Sequence, residues 1–277
     1  MEGEMTGERE KRKEALKRKR LFLFDIDGTI AIDQELLKGT RELLNYIENV
    51  GGKAIYITNN STKSRSAYVE KFAKWSILTK ESDFITASYA ACLYLSEHHK
   101  KDKIYVVGTK SFVQELRSWG FDVVEKIEKG IQLVLVGFDN ELNYKKIEGA
   151  CQLLANPEII YLATNPDLCC PTAFGSVPDC GAICEMLACA VKRKPKFLGK
   201  PNPIIVEASM KQTGFSKDDT LVVGDRLYTD IAVGIHAGVD TAVVFTGEAT
   251  LEDCKNTKYC PTWQFQTINE LFQEIIR

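Results

Sequence analysis

Two aspartates, Asp25 and Asp27, follow a run of four apolar residues, Leu21–Phe24, and stand just before Gly28. An apolar run without polar alternation predicts a strand buried on both faces of a parallel sheet, and ligands of open α/β sheets bind at the carboxyl ends of such strands. An extended backbone would turn both carboxylates to the same side, although the glycine indicates that the chain is already bending. A single Asp-x-Asp-Gly segment is also common as a plain turn, so further motifs must decide.

Asp225 follows a second apolar run, residues 221–223. If this strand lies beside the strand at 21–24, then Asp25, Asp27 and Asp225 meet at one end of the sheet. Carboxylate oxygens without sulfur or imidazole form a hard-ligand site, which suits Mg²⁺. The spacing therefore predicts a magnesium site.

Thr58, Asn59 and Lys200 add groups that can bind phosphate. Thr58 follows the apolar run 53–57 at another strand end, and its hydroxyl and the Asn59 backbone N–H can hold phosphate oxygens. Lys200, within a Gly-Lys-Pro segment, supplies a cation against the negative charge, although a surface lysine is the plain alternative. Metal, hydroxyl, amide and ammonium around one carboxylate are the equipment for phosphoryl transfer.

Strands and helices alternate along the chain, which predicts an α/β fold with a parallel sheet. The first helix is predicted from an N-cap at Thr40 to Gly51. The rhythm restarts near residue 101, and a chain of 277 residues exceeds the usual size of one core. We therefore expect a core domain of residues 21–100 and 193–277, with an inserted α/β domain at 101–192.

Residues 1–20 carry eight basic and five acidic side chains. Such a segment predicts a disordered or frayed helical tail, and its basic end is interpreted as a solvated extension rather than a contact for RNA or acidic lipid.

Composition excludes several classes of protein. A formal net charge of −2 gives no electrostatic footprint for nucleic acid, and no apolar run reaches the length of a membrane helix or a secretory segment. Nine cysteines without CxxC spacing predict reduced thiols and a cytoplasmic location. Cys180, Cys184 and Cys189 raise the alternative of a zinc site, but their spacing fits buried thiols better.

Four motifs in order resemble the haloacid dehalogenase superfamily of phosphohydrolases. They are Asp25-Ile-Asp27-Gly28-Thr29, Thr58, Lys200 and Gly224-Asp225-x4-Asp230. The sequence around the last three is similar, more narrowly, to the NagD or p-nitrophenyl-phosphatase-like subfamily. The resemblance covers nearly all of the chain after the tail. It implies a Rossmann-like core and a large type-2 cap inserted between Thr58 and Lys200.

The resemblance also implies roles. Asp25 would attack phosphorus, and Asp27 would protonate the leaving alkoxide and then activate water. Mg²⁺ would be bound by the Asp25 carboxylate, the Asp27 backbone carbonyl and Asp225. Asp230 would act through water or by orienting Lys200, or would simply cap the following helix.

The cap would choose the substrate. By resemblance, loops containing Asn165, Asp167, Asp179 and Cys180 face the active site, and neither loop carries Arg or Lys. We therefore expect a small, weakly charged substrate, namely a sugar phosphate or nucleoside monophosphate. Pyridoxal phosphate and phosphoglycolate, substrates within the same subfamily, are the alternatives. Caps of this subfamily often dimerise, so a homodimer is an option that the sequence itself does not show.

Four other functions compete with that of a phosphatase. A dehalogenase expels halide and needs no acid at Asp27, a P-type ATPase needs membrane spans, and a phosphomutase of this superfamily usually has a small helical cap after the first motif. A non-catalytic metabolite-binding module remains the alternative from a different class.

Overall fold

The computed structural model describes residues 2–61, 64–172 and 174–277. Among these residues, no helix is both long and apolar enough to cross a membrane. Their strands are β1 (Leu21–Phe24), β2 (Ala31–Ile32), β3 (Glu35–Leu36), β4 (Lys53–Thr58), β5 (Phe84–Thr86), β6 (Lys103–Val107), β7 (Asp122–Val124), β8 (Ile131–Val136), β9 (Ile160–Ala163), β10 (Cys169–Thr172), β11 (Gly175–Pro178), β12 (Lys196–Phe197), β13 (Thr220–Gly224), β14 (Asp240–Val244) and β15 (Trp263–Phe265). Their helices are α1 (Glu2–Arg18), α2 (Thr40–Asn49), α3 (Arg65–Lys74), α4 (Ala87–His98), α5 (Lys110–Ser118), α6 (Tyr144–Leu154), α7 (Cys180–Val191), α8 (Ile204–Thr213), α9 (Ala232–Ala237), α10 (Leu251–Asn256) and α11 (Ile268–Ile276), with a 3-10 turn at Glu81–Asp83 and a π-helical turn at Leu227–Ile231.

The chain divides into two compact units, residues 1–57 with 205–277 and residues 58–204. The sequence predicts an inserted domain at residues 101–192. The second compact unit is longer, because it also contains residues 58–100 and 193–204. Composition does not change at these positions, so the sequence carries no signal for a boundary there. The extent of the functional cap stays a prediction.

The first unit is built on a parallel sheet in which β15, β14, β13, β1 and β4 follow one another in that order. Phe24 of β1 is level with Val223 of β13 on one side and with Tyr56 of β4 on the other. All four residues of β1 are fully buried, as expected for a strand covered on both faces. The predicted α/β fold with a Rossmann-like parallel sheet is confirmed, and so is the pairing of the strands at 21–24 and 221–223.

The second unit has its own parallel sheet, in the order β12-β9-β8-β6-β7, and an antiparallel hairpin of β10 and β11. Side chains along β6 alternate between two apolar clusters, with Tyr105 and Val107 in one and Ile104 and Val106 in the other. Because successive residues of a strand point to opposite faces, this alternation means that both faces of the sheet are buried.

The N-cap residue of α2 lies one position earlier in the sequence than predicted. Gly39, with a φ of 90°, occupies the N-cap position of α2, and Thr40 is the first helical residue. The Thr40 hydroxyl donates a hydrogen bond to the carbonyl of Ile30 (3.2 Å) and is buried there. Thr40 is therefore not the N-cap, because its side chain finds an acceptor in another loop.

The charged tail ends in a buried contact. Leu16 is fully buried, and Lys19 is 2% exposed. Lys19 Nζ lies 2.6 Å from Asp240 Oδ2 and donates to the carbonyl of Asp218 (2.7 Å). The expectation of a solvated extension is therefore wrong for its last residues, since one apolar side chain and one lysine anchor them among the strands of the first unit.

Cysteines do not gather into a metal site within the described residues. Cys180 and Cys184 are buried, whereas Cys189 is exposed. The side-chain hydrogen bond with Cys180 raises the pKa of the Cys184 thiol, and burial raises it further. The zinc alternative finds no support, and the two buried thiols pack as small apolar groups.

Replacing Lys19 tests the anchor. Lys19→Ala removes a buried ammonium that is bonded to one carboxylate and one backbone carbonyl, and we expect the free energy of unfolding to fall by about 2 kcal/mol. Lys17→Ala is the matched control, since Lys17 Nζ lies 3.9 Å from Glu14 in an exposed pair, and should cost less than about 0.5 kcal/mol. Urea denaturation measures both variants, and equal losses would contradict the anchor.

Candidate active site

The loop after β1 carries Asp25 and Asp27 in different environments. The Asp25 backbone N–H continues the ladder by donating to the carbonyl of Val223 (2.9 Å), and Asp25 is 9% exposed. Gly28 has a φ of 92°, so the chain turns immediately after Asp27, as its glycine predicts. Asp27 is exposed. One residue is therefore enclosed at the strand end, and the other is accessible to solvent.

Three carboxylates of the first unit converge. Carboxylate oxygens of Asp25, Asp225 and Asp230 all lie within 4.8 Å of one another. Asp225 is 3% exposed directly after β13, and Asp230 is fully buried on the π-helical turn. Buried like charges at this separation repel each other, and a divalent cation with oxygen ligands relieves that repulsion. The donor set therefore fits Mg²⁺, and the carboxylate of Asp27 is not part of it.

Backbone groups approach the Asp225 carboxylate very closely. Its Oδ2 accepts from the N–H of Glu248 (2.8 Å), and its Oδ1 accepts from the Thr29 hydroxyl (3.2 Å). A Cβ on Gly247 would lie 1.9 Å from Oδ2, so this position has no space for any side chain. Asp225 is thus held in one orientation by the loop that follows β14.

The same loop also holds the turn after Asp27. The Thr246 hydroxyl donates to the carbonyl of Gly28 (2.6 Å). This hydrogen bond ties the loop after β14 to the loop after β1. The backbone beside Asp27 is therefore fixed from a third strand end.

Asn59, which follows Thr58 in sequence, contacts Lys200 in the second unit. Thr58 is the last residue of β4, is 5% exposed, and its Oγ1 accepts from the Asn60 N–H (3.2 Å). The Asn59 side chain bonds the backbone of Lys200 twice, because its Oδ1 accepts from the Lys200 N–H (2.8 Å) and its Nδ2 donates to the Lys200 carbonyl (3.0 Å). Two motifs that are 141 residues apart are thereby joined.

The four predicted cap residues are buried. Asn165 and Cys180 are fully buried, Asp167 is 2% exposed, and Asp179 is 5% exposed. Asn165 Nδ2 donates to Asp167 Oδ2 (2.9 Å) and to Asp179 Oδ1 (3.1 Å), and Asp179 also accepts from the Cys180 N–H as the N-cap of α7. Their expected contact with substrate stays a prediction, and the structure gives three of them a shared hydrogen-bond network.

A parallel sheet with carboxylates gathered at the ends of its strands is typical of α/β enzymes that act on phosphate groups. A family model described as haloacid dehalogenase-like hydrolase matches residues 22–122, and one described as HAD-hydrolase-like matches residues 197–271. The chain is 32% identical over 260 residues to an acid sugar phosphatase of Staphylococcus aureus, an alignment that covers 94% of this chain and 99% of that protein.

Solved structures agree with this. A 4-nitrophenylphosphatase from Thermotoga maritima is 31% identical with a TM-score of 0.87, over 94% of this chain and 99% of that chain. NagD from E. coli K-12 is 29% identical with a TM-score of 0.82, over 91% of this chain and 98% of that chain. The chain therefore belongs to the haloacid dehalogenase-like hydrolases. It is a phosphatase of the NagD kind, which confirms the predicted family, subfamily and enzyme class, a phosphoric monoester hydrolase.

The loop after β14 was not predicted to be part of the site. It supports the site through Thr246, Gly247 and Glu248. A signal was available, because they follow the strand at 240–244 and so lie at the same edge of the sheet as Asp25 and Asp225. The carboxylate of Asp230 lies within 4.8 Å of those of Asp25 and Asp225, and its expected action through water or on Lys200 stays a prediction.

Gly247→Ala tests the close approach at Asp225. The added methyl group must displace the carboxylate, and we expect the Mg²⁺ concentration for half-maximal turnover of 4-nitrophenyl phosphate to rise about 10- to 100-fold. Gly51→Ala is the control, because Gly51 has a φ of 71° but nothing within 4 Å of the added Cβ. It should lose about 1 kcal/mol of stability and keep its metal dependence. An unchanged Mg²⁺ requirement in Gly247→Ala would contradict the geometry.

Proposed function

We propose that this protein is a Mg²⁺-dependent phosphatase that hydrolyses a small phosphate monoester, a sugar phosphate or a nucleoside monophosphate, through an aspartyl phosphate on Asp25. The observation that supports it most is the group of three buried carboxylates that includes Asp25, in a chain of this phosphatase family. The relative named acid sugar phosphatase supports a sugar phosphate as the first substrate to test.

Residues of the first unit would hold the metal ion. The carboxylates of Asp25 and Asp225 and the backbone carbonyl of Asp27 are the proposed ligands, and Asp230 binds directly or through water. Once bound, Mg²⁺ would neutralise charge on the phosphoryl oxygens.

Asp25 and Asp27 divide the chemistry. An Asp25 carboxylate oxygen attacks phosphorus, so that a new O–P bond forms while the ester P–O bond breaks. Asp27, whose side chain is exposed, gives its proton to the departing alkoxide. Asp27 then takes a proton from a water molecule, which attacks phosphorus and releases Asp25 and inorganic phosphate. One water is consumed, and one alcohol and one phosphate are produced.

Thr58, Asn59 and Lys200 are proposed to bind the phosphate. The Thr58 hydroxyl and the Asn59 backbone N–H donate to phosphate oxygens, and the Lys200 ammonium offsets their charge. The resemblance supports these roles, and so does the double hydrogen bond that joins Asn59 to Lys200 within the second unit.

Asp25→Asn tests the nucleophile. An amide cannot form the phosphoenzyme, so we expect phosphate release to fall by at least about a thousandfold. EDTA should abolish the wild-type activity. Asp33→Asn is the control, since Asp33 is exposed on the following loop with a φ of 52°, a conformation that asparagine also adopts. Turnover that survives Asp25→Asn would sink the mechanism, and a folded wild type without turnover would favour a binding module.

Substrate choice is tested with a panel of monophosphates at fixed Mg²⁺. We expect kcat/KM to be highest for sugar phosphates or nucleoside monophosphates, because the loops at 165–167 and 178–181 carry no cation to read a second anionic group. Released phosphate measures each rate. A preference for phosphoglycolate or pyridoxal phosphate over every sugar and nucleotide would refute this substrate class.

A further inference from the structure

The Asn59 carboxamide fixes the backbone conformation at Lys200. It bonds the N–H and the carbonyl of the same residue, so the peptide groups on both sides of the Lys200 Cα are fixed. Gly199 permits this approach, because a Cβ there would lie 2.7 Å from Asn59 Oδ1. Any change in the orientation of the carboxamide would therefore move Lys200.

Asp167 stabilises that orientation. Asn59 Nδ2 also donates to Asp167 Oδ2 (2.6 Å). A carboxylate accepts hydrogen bonds, so the amide nitrogen must face Asp167 and the amide oxygen must face the Lys200 N–H. In the reversed orientation, oxygen would face oxygen at Asp167 and N–H would face N–H at Lys200. The carboxylate therefore reinforces the orientation that the Lys200 N–H and carbonyl already require, by giving the amide nitrogen a second acceptor.

Asp167 is itself fixed by hydrogen bonds from Asn165 and Gly181. Asn165 Nδ2 donates to the same Oδ2 of Asp167 (2.9 Å), and Asn165 Oδ1 accepts from the Thr164 hydroxyl (2.8 Å). The backbone carbonyl of Asp167 accepts from the Gly181 N–H (2.8 Å), where a Cβ would lie 2.2 Å from the Pro166 carbonyl oxygen. Buried, mutually bonded groups of this kind form a rigid support.

We propose that Asp167 is a positioning residue of the phosphatase, which acts through the Asn59 carboxamide to place the Lys200 ammonium. The proposal rests on the proposed function, in which Lys200 binds the phosphate. This role differs from that of a residue that contacts the leaving group. A positioning role acts on the phosphate, which all substrates share, and so lowers the rate by the same factor for every ester.

The test compares Asp167→Asn, Asp167→Ala, Asn59→Ala and the Asn59→Ala/Asp167→Ala double variant. We expect Asp167→Asn to lower kcat/KM about 10- to 100-fold, by equal factors for 4-nitrophenyl phosphate, glucose 6-phosphate and uridine monophosphate. The inhibition constant of inorganic phosphate should rise as well. In the Asn59→Ala background, Asp167→Ala should cost less than about threefold, because the group through which it acts is already gone.

Asp139→Asn controls for a purely structural effect. Asp139 is 4% exposed in the same unit and pairs with Lys146 Nζ at 2.7 Å. This variant should lose thermal stability but keep kcat/KM within about twofold. Losses at Asp167 that differ between esters, or that add fully to Asn59→Ala, would overturn the proposal. An active wild type with an unaffected Asp167→Asn would overturn it alone, whereas an inactive, folded wild type would refute the proposed function and this inference together.

Discussion

Repulsion among three buried carboxylates is the constraint on which the first unit depends. Asp25, Asp225 and Asp230 are each at most 9% exposed, and their oxygens lie within 4.8 Å of one another. Such a group is unfavourable unless N–H donors and a cation offset its charge. The Glu248 N–H and the Arg226 N–H, which donates to Asp230 Oδ2 (3.0 Å), supply part of that compensation. This grouping of carboxylates makes the strand end a candidate site for a divalent cation.

The parallel strands fix the positions of the carboxylates and of the groups that support them. Each supporting group follows a different strand, Asp25 after β1, Asp225 after β13 and Thr246 after β14, and the register of paired strands sets their relative height. The apolar strands behind them are fully buried, so the strand ends cannot shift without disturbing close packing. Gly247 completes the arrangement, since the loop comes so close to Asp225 that only a hydrogen atom fits.

The fold and the first half of the site could be predicted because their signals are local. An apolar run such as Leu21–Phe24 indicates a buried strand, and a carboxylate at its end indicates a ligand site. The contact between Asn59 and Asp167 could not be predicted, since it joins residues 108 positions apart in sequence. The short hairpin of β10 and β11 was missed because Cys169–Thr172 shows no period-two apolar pattern. Lys19 was assigned to a solvated tail because its partner Asp240 is likewise distant.

Aspartate serves two opposite purposes in this chain, and its neighbours distinguish them. Asp225 lies beside two other carboxylates, those of Asp25 and Asp230, in a group that could hold a metal ion. Asp167 lies against two amide groups, those of Asn59 and Asn165, so its charge is used to orient them. Residue type and burial are the same in both cases, and motif spacing alone does not separate them. Both carboxylates accept hydrogen bonds, so donors alone do not distinguish them. The difference is that Asp225 also has the carboxylates of Asp25 and Asp230 within 4.8 Å, which makes it a candidate metal ligand.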